Sequence, residues 1–221
     1  MRFSRSIFYA VIFGLVAACD SGSGFIAEPV ITKNPNPRVP LAAVLTYDAG
    51  APATTRVDVT SGDEAWTIEF DEDATAGLPL VGLKPARSYD FNVTATLEDG
   101  TSLIAERLSY RTPPLPPGLG DFPPIKVNVA KPSEMEPGVT FLSVRRRVPG
   151  RPHWLTPAQR RYSTEWGVIV AVDPEGDVIW YYESDRRVAG IDRLSNGNLL
   201  FHLTDARSQE LDLLGNTVTE W

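Results

Sequence analysis

The sequence has little of what metal centres and disulfides require. Its 221 residues include one cysteine, Cys19, and two histidines, His153 and His202. A single cysteine excludes an intrachain disulfide, and one cysteine with two histidines cannot build a thiolate-based zinc site. His153 has no second histidine or carboxylate at a ligand-like spacing, so we interpret it as a surface-loop residue. We therefore predict no metal and no cofactor.

Positive charge is also scarce. The chain has 21 lysines and arginines against 28 aspartates and glutamates, a formal net charge of −7. Because a nucleic-acid surface needs a basic face, we predict no nucleic-acid partner. One basic cluster is present, made of Arg145, Arg146 and Arg147 with Arg151, Arg160 and Arg161 nearby. It is compatible with a phosphate, sulfate or lipid-headgroup site, and the alternative is a solvated loop that balances an acidic protein.

The amino terminus has the pattern of an export signal. Arg2 and Arg5 precede residues 7–18, an uncharged and mostly apolar run of 12 residues that is too short to cross a bilayer core of about 30 Å. The run ends in Val-Ala-Ala before Cys19, which resembles the lipobox of bacterial lipoproteins. This predicts a signal peptide at residues 1–18, lipidation of Cys19 and a flexible tether at residues 19–27. The alternative is an ordinary signal peptide cleaved after Ala17 or Ala18.

Lipidation would place the protein in the cell envelope, with the membrane as its partner. Two or three acyl chains give durable anchoring where one does not. The protein would then face the periplasm or the exterior.

Residues 28–112 are predicted to form a small β-sandwich. Apolar and polar residues alternate in several short runs, the period of a half-buried antiparallel sheet. These runs begin at Leu41, Val57, Trp66 and Tyr89. Leu83, Pro85 and Tyr89 resemble the corner motif of fibronectin type III domains, which implies that the tyrosine hydroxyl bonds back across the corner. Such domains are spacers or docking modules.

A proline-rich linker at residues 113–135 leads to a second unit, residues 136–221. There Asp173 and Asp212, which lie 39 residues apart, each stand three residues before a glycine. Aspartate can bond the backbone of its own turn, and glycine supplies the positive φ of a tight hairpin. A period of about 40 with this content is typical of a β-propeller blade. The alternative is a generic β-meander.

These features together resemble the bacterial arylsulfate sulfotransferase family. They are the amino-terminal sandwich, the proline-rich linker, Glu136-Pro137-Gly138-Val139-Thr140, the Asp173 repeat with Trp180, and the Ser195-Asn196-Gly197-Asn198 turn. The resemblance implies a six-bladed propeller. It also implies transfer of sulfate from a phenolic ester to another phenol through a transiently sulfated histidine.

The fold expected from the sequence is therefore all-β, a fibronectin type III or immunoglobulin-like sandwich followed by the first one to two blades of a propeller. The family's catalytic histidines are expected beyond residue 221, and phenolic sulfates would be substrates of the full-length protein. His202 matches no family motif, and we interpret it as structural. We assign no catalytic, cofactor-binding or metal residue. The alternative is a non-enzymatic surface lipoprotein whose sandwich is a binding or spacer module.

Overall fold

The computed structural model describes residues 24–118, 121–129, 131–150 and 154–221, and their fold is all-β. Fifteen strands form four antiparallel sheets across these residues, with one α-helix and one short 3-10 turn at Pro132–Glu134. The predicted all-β class is confirmed. Across the described ranges, none of the helices combines the length and the apolar character needed to cross a bilayer.

Two sheets form the first half. Their strands are β1 (Ala27–Lys33), β2 (Ala43–Asp48), β3 (Ala53–Ser61), β4 (Glu64–Phe70), β5 (Leu78–Leu80), β6 (Ser88–Leu97), β7 (Ser102–Ile104) and β8 (Leu108–Arg111). One sheet has the order β1-β2-β5. The other has the order β4-β3-β6, with β7 and β8 pairing successive parts of β6. All these pairings are antiparallel.

The two sheets share one apolar core. Leu45 from β2 and Leu80 from β5 pack in one cluster with Val57 from β3 and Phe91 from β6, and all four are fully buried. The alternation of buried and exposed residues along β3 is the pattern that the sequence predicts for a sheet with one solvent-exposed face. The core therefore lies between the two sheets.

Strands β1 and β5 are absent from the sequence prediction. Strand β1 contains Pro29 and precedes three further prolines, and β5 is the tripeptide Leu78-Pro79-Leu80. Proline cannot donate to a sheet ladder, so it argues against a central strand. Both strands lie at the edges of their sheet, where proline is tolerated.

The second half contains seven strands and the helix. They are β9 (Thr140–Arg145), α1 (Pro157–Thr164), β10 (Gly167–Val172), β11 (Val178–Ser184), β12 (Val188–Arg193), β13 (Leu199–Leu203), β14 (Ser208–Leu211) and β15 (Thr217–Glu220). The first sheet has the order β11-β10-β9 and the second β12-β13-β14-β15. Helix α1 begins with a capping box in which Thr156 and Gln159 bond each other's backbone.

The two predicted Asp-x-x-Gly turns have the same geometry. In each, the aspartate side chain accepts a bond from the backbone N–H four residues later, at 2.8 Å for Asp173 and 2.9 Å for Asp212. Gly176 has φ +89° and Gly215 has φ +83°. The predicted roles of aspartate and glycine in these turns are confirmed.

The hairpins that flank these turns also match. The register shifts between Ala171 and Val172 in the β10–β11 pair, and between Glu210 and Leu211 in the β14–β15 pair. These positions are again 39 residues apart. The two sequence copies are therefore two copies of one bulged hairpin.

The two sheets of the second half stack on each other through a second core. Ile169, Trp180 and Tyr182 from the first sheet meet Leu199 and Phe201 from the second. This core also contains residues from the loop between β1 and β2, residues 34–42, which we call the arm. Val39 and Ala42 of the arm are completely buried in it.

Candidate functional site

The junction between the halves is built around Lys84, in the segment that follows β5. Its Nζ atom lies 2.9 Å from Asp177, 3.0 Å from Asp173 and 3.1 Å from Glu64. Glu64 belongs to β4, and the two aspartates close the β10–β11 hairpin. The first Asp-x-x-Gly turn therefore binds the first half through its own aspartate.

The electrostatics of this cluster favour a permanent ion pair. Burial acts to lower the pKa of Lys84, but the hydrogen bonds that its ammonium group donates to Asp177, Asp173 and Glu64 outweigh burial and raise that pKa. Hydrogen bonds from Lys84 and Arg87 in turn lower the pKa of Glu64. A lysine held charged in this way cannot serve as a base or a nucleophile near neutral pH, because both roles need the free amine.

The backbone of Lys84 is fixed as firmly as its side chain. Its N–H donates to the hydroxyl of Tyr89 at 2.6 Å, and its carbonyl accepts from the hydroxyl of Thr112 at 2.6 Å. The bond to Tyr89 is the corner bond that the sequence predicts. The corner of the first core thus presents the ammonium group to the second half.

Open cavities lie on both sides of Lys84. One, of about 250 Å³, is lined by Arg87, Leu115, Ile125 and Val178, and the other, of about 640 Å³, by Trp66, Asp63, Glu175 and Ile179. Each is lined by charged and apolar groups, and no histidine lines either of them. Neither provides the histidine that sulfate transfer would need.

A more polar pocket of about 380 Å³ lies where the arm meets the second hairpin. Arg38, Tyr182, Gln209 and Arg207 are among its lining residues. Carboxylates surround Arg207, with Asp205 at 2.8 Å, Glu220 at 3.2 Å and Asp185 at 3.6 Å. Their hydrogen bonds and charges raise the pKa of Arg207. Because those carboxylates already neutralise its guanidinium, Arg207 adds little net positive charge to this pocket.

His202 lies on β13 with its side chain exposed, on the opposite face from buried Phe201. Its Nδ1 atom and the hydroxyl of Ser208 are 2.7 Å apart. The imidazole bridges two neighbouring strands, β13 and β14, which pair at this position.

The basic cluster is split by the fold. The guanidinium of Arg146 lies over the rings of Trp166 and Tyr162, 4.6 Å and 5.0 Å from their centroids. Arg147, Arg160 and Arg161 are exposed. Arg151 and His153 lie outside the described residues, as does Cys19, so the structure says nothing of the predicted loop histidine and lipidation site.

The described part of the chain contains no group of three or more histidine, cysteine, aspartate or glutamate side chains that could hold a metal ion. The sequence reasoning missed Lys84 as the centre of the junction, because its three carboxylates come from positions 20 to 93 residues away. No family model matches the sequence, and a search of the curated proteins also returned no match.

Proposed function

We propose that the first half is a fibronectin type III-like sandwich. Two antiparallel sheets around one core, with the Tyr89 hydroxyl bonded to the backbone of Lys84, support this assignment. The second half is the beginning of a β-propeller. Its support is the pair of matching bulged hairpins and the stacking of one sheet on the next.

The proposed function is that of the amino-terminal scaffold of a membrane-anchored arylsulfate sulfotransferase-like protein. Such a protein would move sulfate from a phenolic ester to a phenol, through a histidine beyond this chain. The observation that carries the proposal is the hairpin repeated 39 residues apart, which joins to the sandwich through Asp173 and Lys84. On this proposal the chain itself positions the propeller and does not transfer sulfate.

One observation favours a second candidate, a non-enzymatic surface lipoprotein. His202 is exposed and its Nδ1 atom lies 2.7 Å from the hydroxyl of Ser208, so this histidine already has a partner on the neighbouring strand, as a structural residue does. On this reading the sandwich is a binding or spacer module and the sheets of the second half are only a scaffold.

An assay of the full-length gene product separates the two candidates. Incubation with p-nitrophenyl sulfate should release p-nitrophenol, and the release should increase when a phenol acceptor is added. His202→Ala should leave that rate unchanged, because the transferring histidine is placed outside this chain. Absence of phenol-dependent release would support the lipoprotein, and a lost rate in His202→Ala would overturn the proposed position of the histidine.

The anchor has its own test. Wild-type protein should incorporate a labelled fatty acid, and Cys19→Ser should not, because it removes the thiol that would carry the acyl chains. Ser21→Ala, in the same predicted tether, is the control and should incorporate the label. No label in the wild type, or equal label in Cys19→Ser, would contradict lipidation.

A further inference from the structure

The charge of this chain is distributed unevenly. Six of the 21 lysines and arginines fall between Pro137 and Glu165, and none of the 28 aspartates and glutamates does. An acidic protein therefore carries a stretch in which six arginines occur without a single carboxylate. That stretch surrounds the end of β9 and the helix α1.

Helix α1 is ordered without a core of its own. It has no buried residue, although a capping box and Pro157 define its start. Helices of eight residues are marginal in isolation, and most helices in proteins are stabilised by packing of an apolar face. The ring of Tyr162 on this helix contacts the guanidinium of Arg146, which ties α1 to the end of β9.

This region exposes both cations and large aromatic groups. Trp154 is 70% exposed and Tyr162 is 50% exposed. The exposed cations of the stretch are Arg145 at the end of β9 and, beyond it, Arg147, Arg160 and Arg161, and no described carboxylate lies within salt-bridge distance of any of these four. The side chain of Arg160 bonds the carbonyl of Leu155, so the guanidinium lies beside the segment that carries Trp154.

We propose that this basic–aromatic surface, made of Arg147, Trp154, Arg160, Arg161 and Tyr162, docks on the headgroup region of an anionic phospholipid bilayer. Tryptophan and tyrosine concentrate at membrane interfaces, where the ring is half apolar and half wet. Arginines near an anionic surface are attracted to it by roughly equal increments. The complementarity of charge selects the bilayer, because the rest of the chain is acidic and would be repelled by it.

The proposal goes beyond sulfate transfer and does not depend on acylation of Cys19. The surface orients the protein on the membrane. An acyl chain, where present, holds the protein at the membrane in any orientation. These roles are separable by experiment.

The test uses the chain without its predicted signal peptide, residues 1–18, and with Cys19→Ser, so that neither an acyl chain nor the apolar run of residues 7–18 contributes. Co-flotation is measured with vesicles of phosphatidylcholine alone and of phosphatidylcholine mixed with phosphatidylglycerol. The protein should partition onto the anionic vesicles, and high salt should release it. Equal partition onto both vesicle types, or none onto either, would overturn the proposal.

A charge-matched pair of variants locates the binding surface. In the test variant the changes are Arg147→Gln, Arg160→Gln and Arg161→Gln. In the control they are Lys33→Gln, Arg107→Gln and Arg193→Gln, which are also exposed. The test variant should lose at least about tenfold in partition coefficient while the control stays within about twofold. Equal losses would show a general charge effect and reject this surface.

A spectroscopic measurement distinguishes a bilayer from a soluble polyanion. Brominated phosphatidylglycerol should quench part of the tryptophan fluorescence, and Trp154→Phe should abolish that quenched part. Circular dichroism confirms that each variant is folded. Tight binding to heparin, with no quenching of Trp154 by brominated lipid, would assign the surface to a polyanion and overturn the bilayer.

Discussion

Lys84 links the two halves of the molecule at the scale of a single residue. Its backbone belongs to the corner of the first core, through Tyr89 and Thr112. Its ammonium group belongs to the first hairpin of the second half, through Asp173 and Asp177. A substitution that weakens the contacts of Lys84 with one half should therefore also reduce the stability of the other half.

Tyr89→Phe should destabilise the protein by about 1 to 2 kcal/mol, because it leaves the N–H of Lys84 without its buried acceptor. Tyr110→Phe is a matched control, since Tyr110 lies directly opposite Tyr89 on β8. No described residue hydrogen-bonds the Tyr110 hydroxyl, so its removal should change little. Urea denaturation of both variants measures the difference, and equal losses would reject the role of the corner bond.

Lys84→Met should cost about 2 kcal/mol at neutral pH, because it leaves Asp173 with a carboxylate that is only 13% exposed and has lost its cation. Lys131→Met removes an exposed pair with Glu134 and should cost much less. Chemical denaturation at pH 7 compares the two.

The pH dependence of the Lys84 effect has a definite sign. The pKa of Glu64 in the folded protein is depressed below its ordinary value of 4.5. Its contribution to the free energy of unfolding is therefore fully present above pH 4.5 and is lost as the pH falls through the folded pKa. The pKa of Lys84 is raised above 10.5, so the ammonium group stays charged at every lower pH. Lys84 therefore stabilises the folded protein as long as its carboxylate partners are charged. The difference in the free energy of unfolding between wild type and Lys84→Met should therefore become smaller below pH 4.5. A gap that stays constant down to pH 2 would contradict the ion-pair account.

At the scale of elements, the arm and the second hairpin meet at Gly215. The side-chain amide of Asn36 donates to the carbonyl of Gly215 at 2.6 Å, and that of Asn34 donates to Leu214 at 2.9 Å. A Cβ atom at Gly215 would lie 2.6 Å from Val39 and 2.9 Å from Asn36. The glycine thus serves both the positive φ of the turn and the close approach of the arm.

Gly215→Ala and Gly197→Ala separate these two requirements. Both glycines have positive φ, but a Cβ at Gly197 would meet only the end of Arg193, at 3.6 Å. Gly197→Ala should cost about 1 kcal/mol from backbone strain alone. Gly215→Ala should cost about 2 to 4 kcal/mol, because the arm must also move. Thermal denaturation measures both losses of stability. Adding Val39→Ala to Gly215→Ala should recover part of the extra loss, because it removes the side chain closest to the new Cβ atom. Equal costs for the two single variants would show that the arm does not press on this turn.

At the scale of the whole molecule, the arm makes the two halves share their cores. Leu41 is 1% exposed and packs with Phe122, Trp166 and Val168, while Val39 and Ala42 enter the neighbouring core. The linker is expected at residues 113–135. The arm precedes it and still packs within the second half.

Leu41→Ala should destabilise the protein by about 3 kcal/mol, the usual cost of a buried leucine truncated in a core. Its effect should fall on the second half. Hydrogen exchange should accelerate in β10 and β11, which pack on Leu41 or beside it, more than in β3 and β6. Leu45 lies on β2 within the first core, so Leu45→Ala should accelerate hydrogen exchange in β3 and β6 more than in β10 and β11. An effect of Leu41→Ala confined to the first half would contradict the shared core.

The sequence alone determined the elements whose signals are local. The alternation along β3 and β6, the corner at Tyr89 and the two Asp-x-x-Gly turns are each specified within about ten residues, and each was predictable. Strand β12 and helix α1 were not predicted. In Val188–Arg193 the alternation of apolar and polar residues is weak, and α1 is a short polar segment that only its capping box marks as a helix.

The way in which these elements are joined depends on tertiary contacts that no local pattern specifies. Lys84 finds carboxylates in both halves, and the arm enters a core formed by strands more than a hundred residues later. Contacts of that separation depend on which faces meet after the chain has closed, and periodicity along the sequence does not record them. The same holds for the basic–aromatic surface, where the sequence supplied the arginines and the fold left Trp154 and Tyr162 exposed beside them.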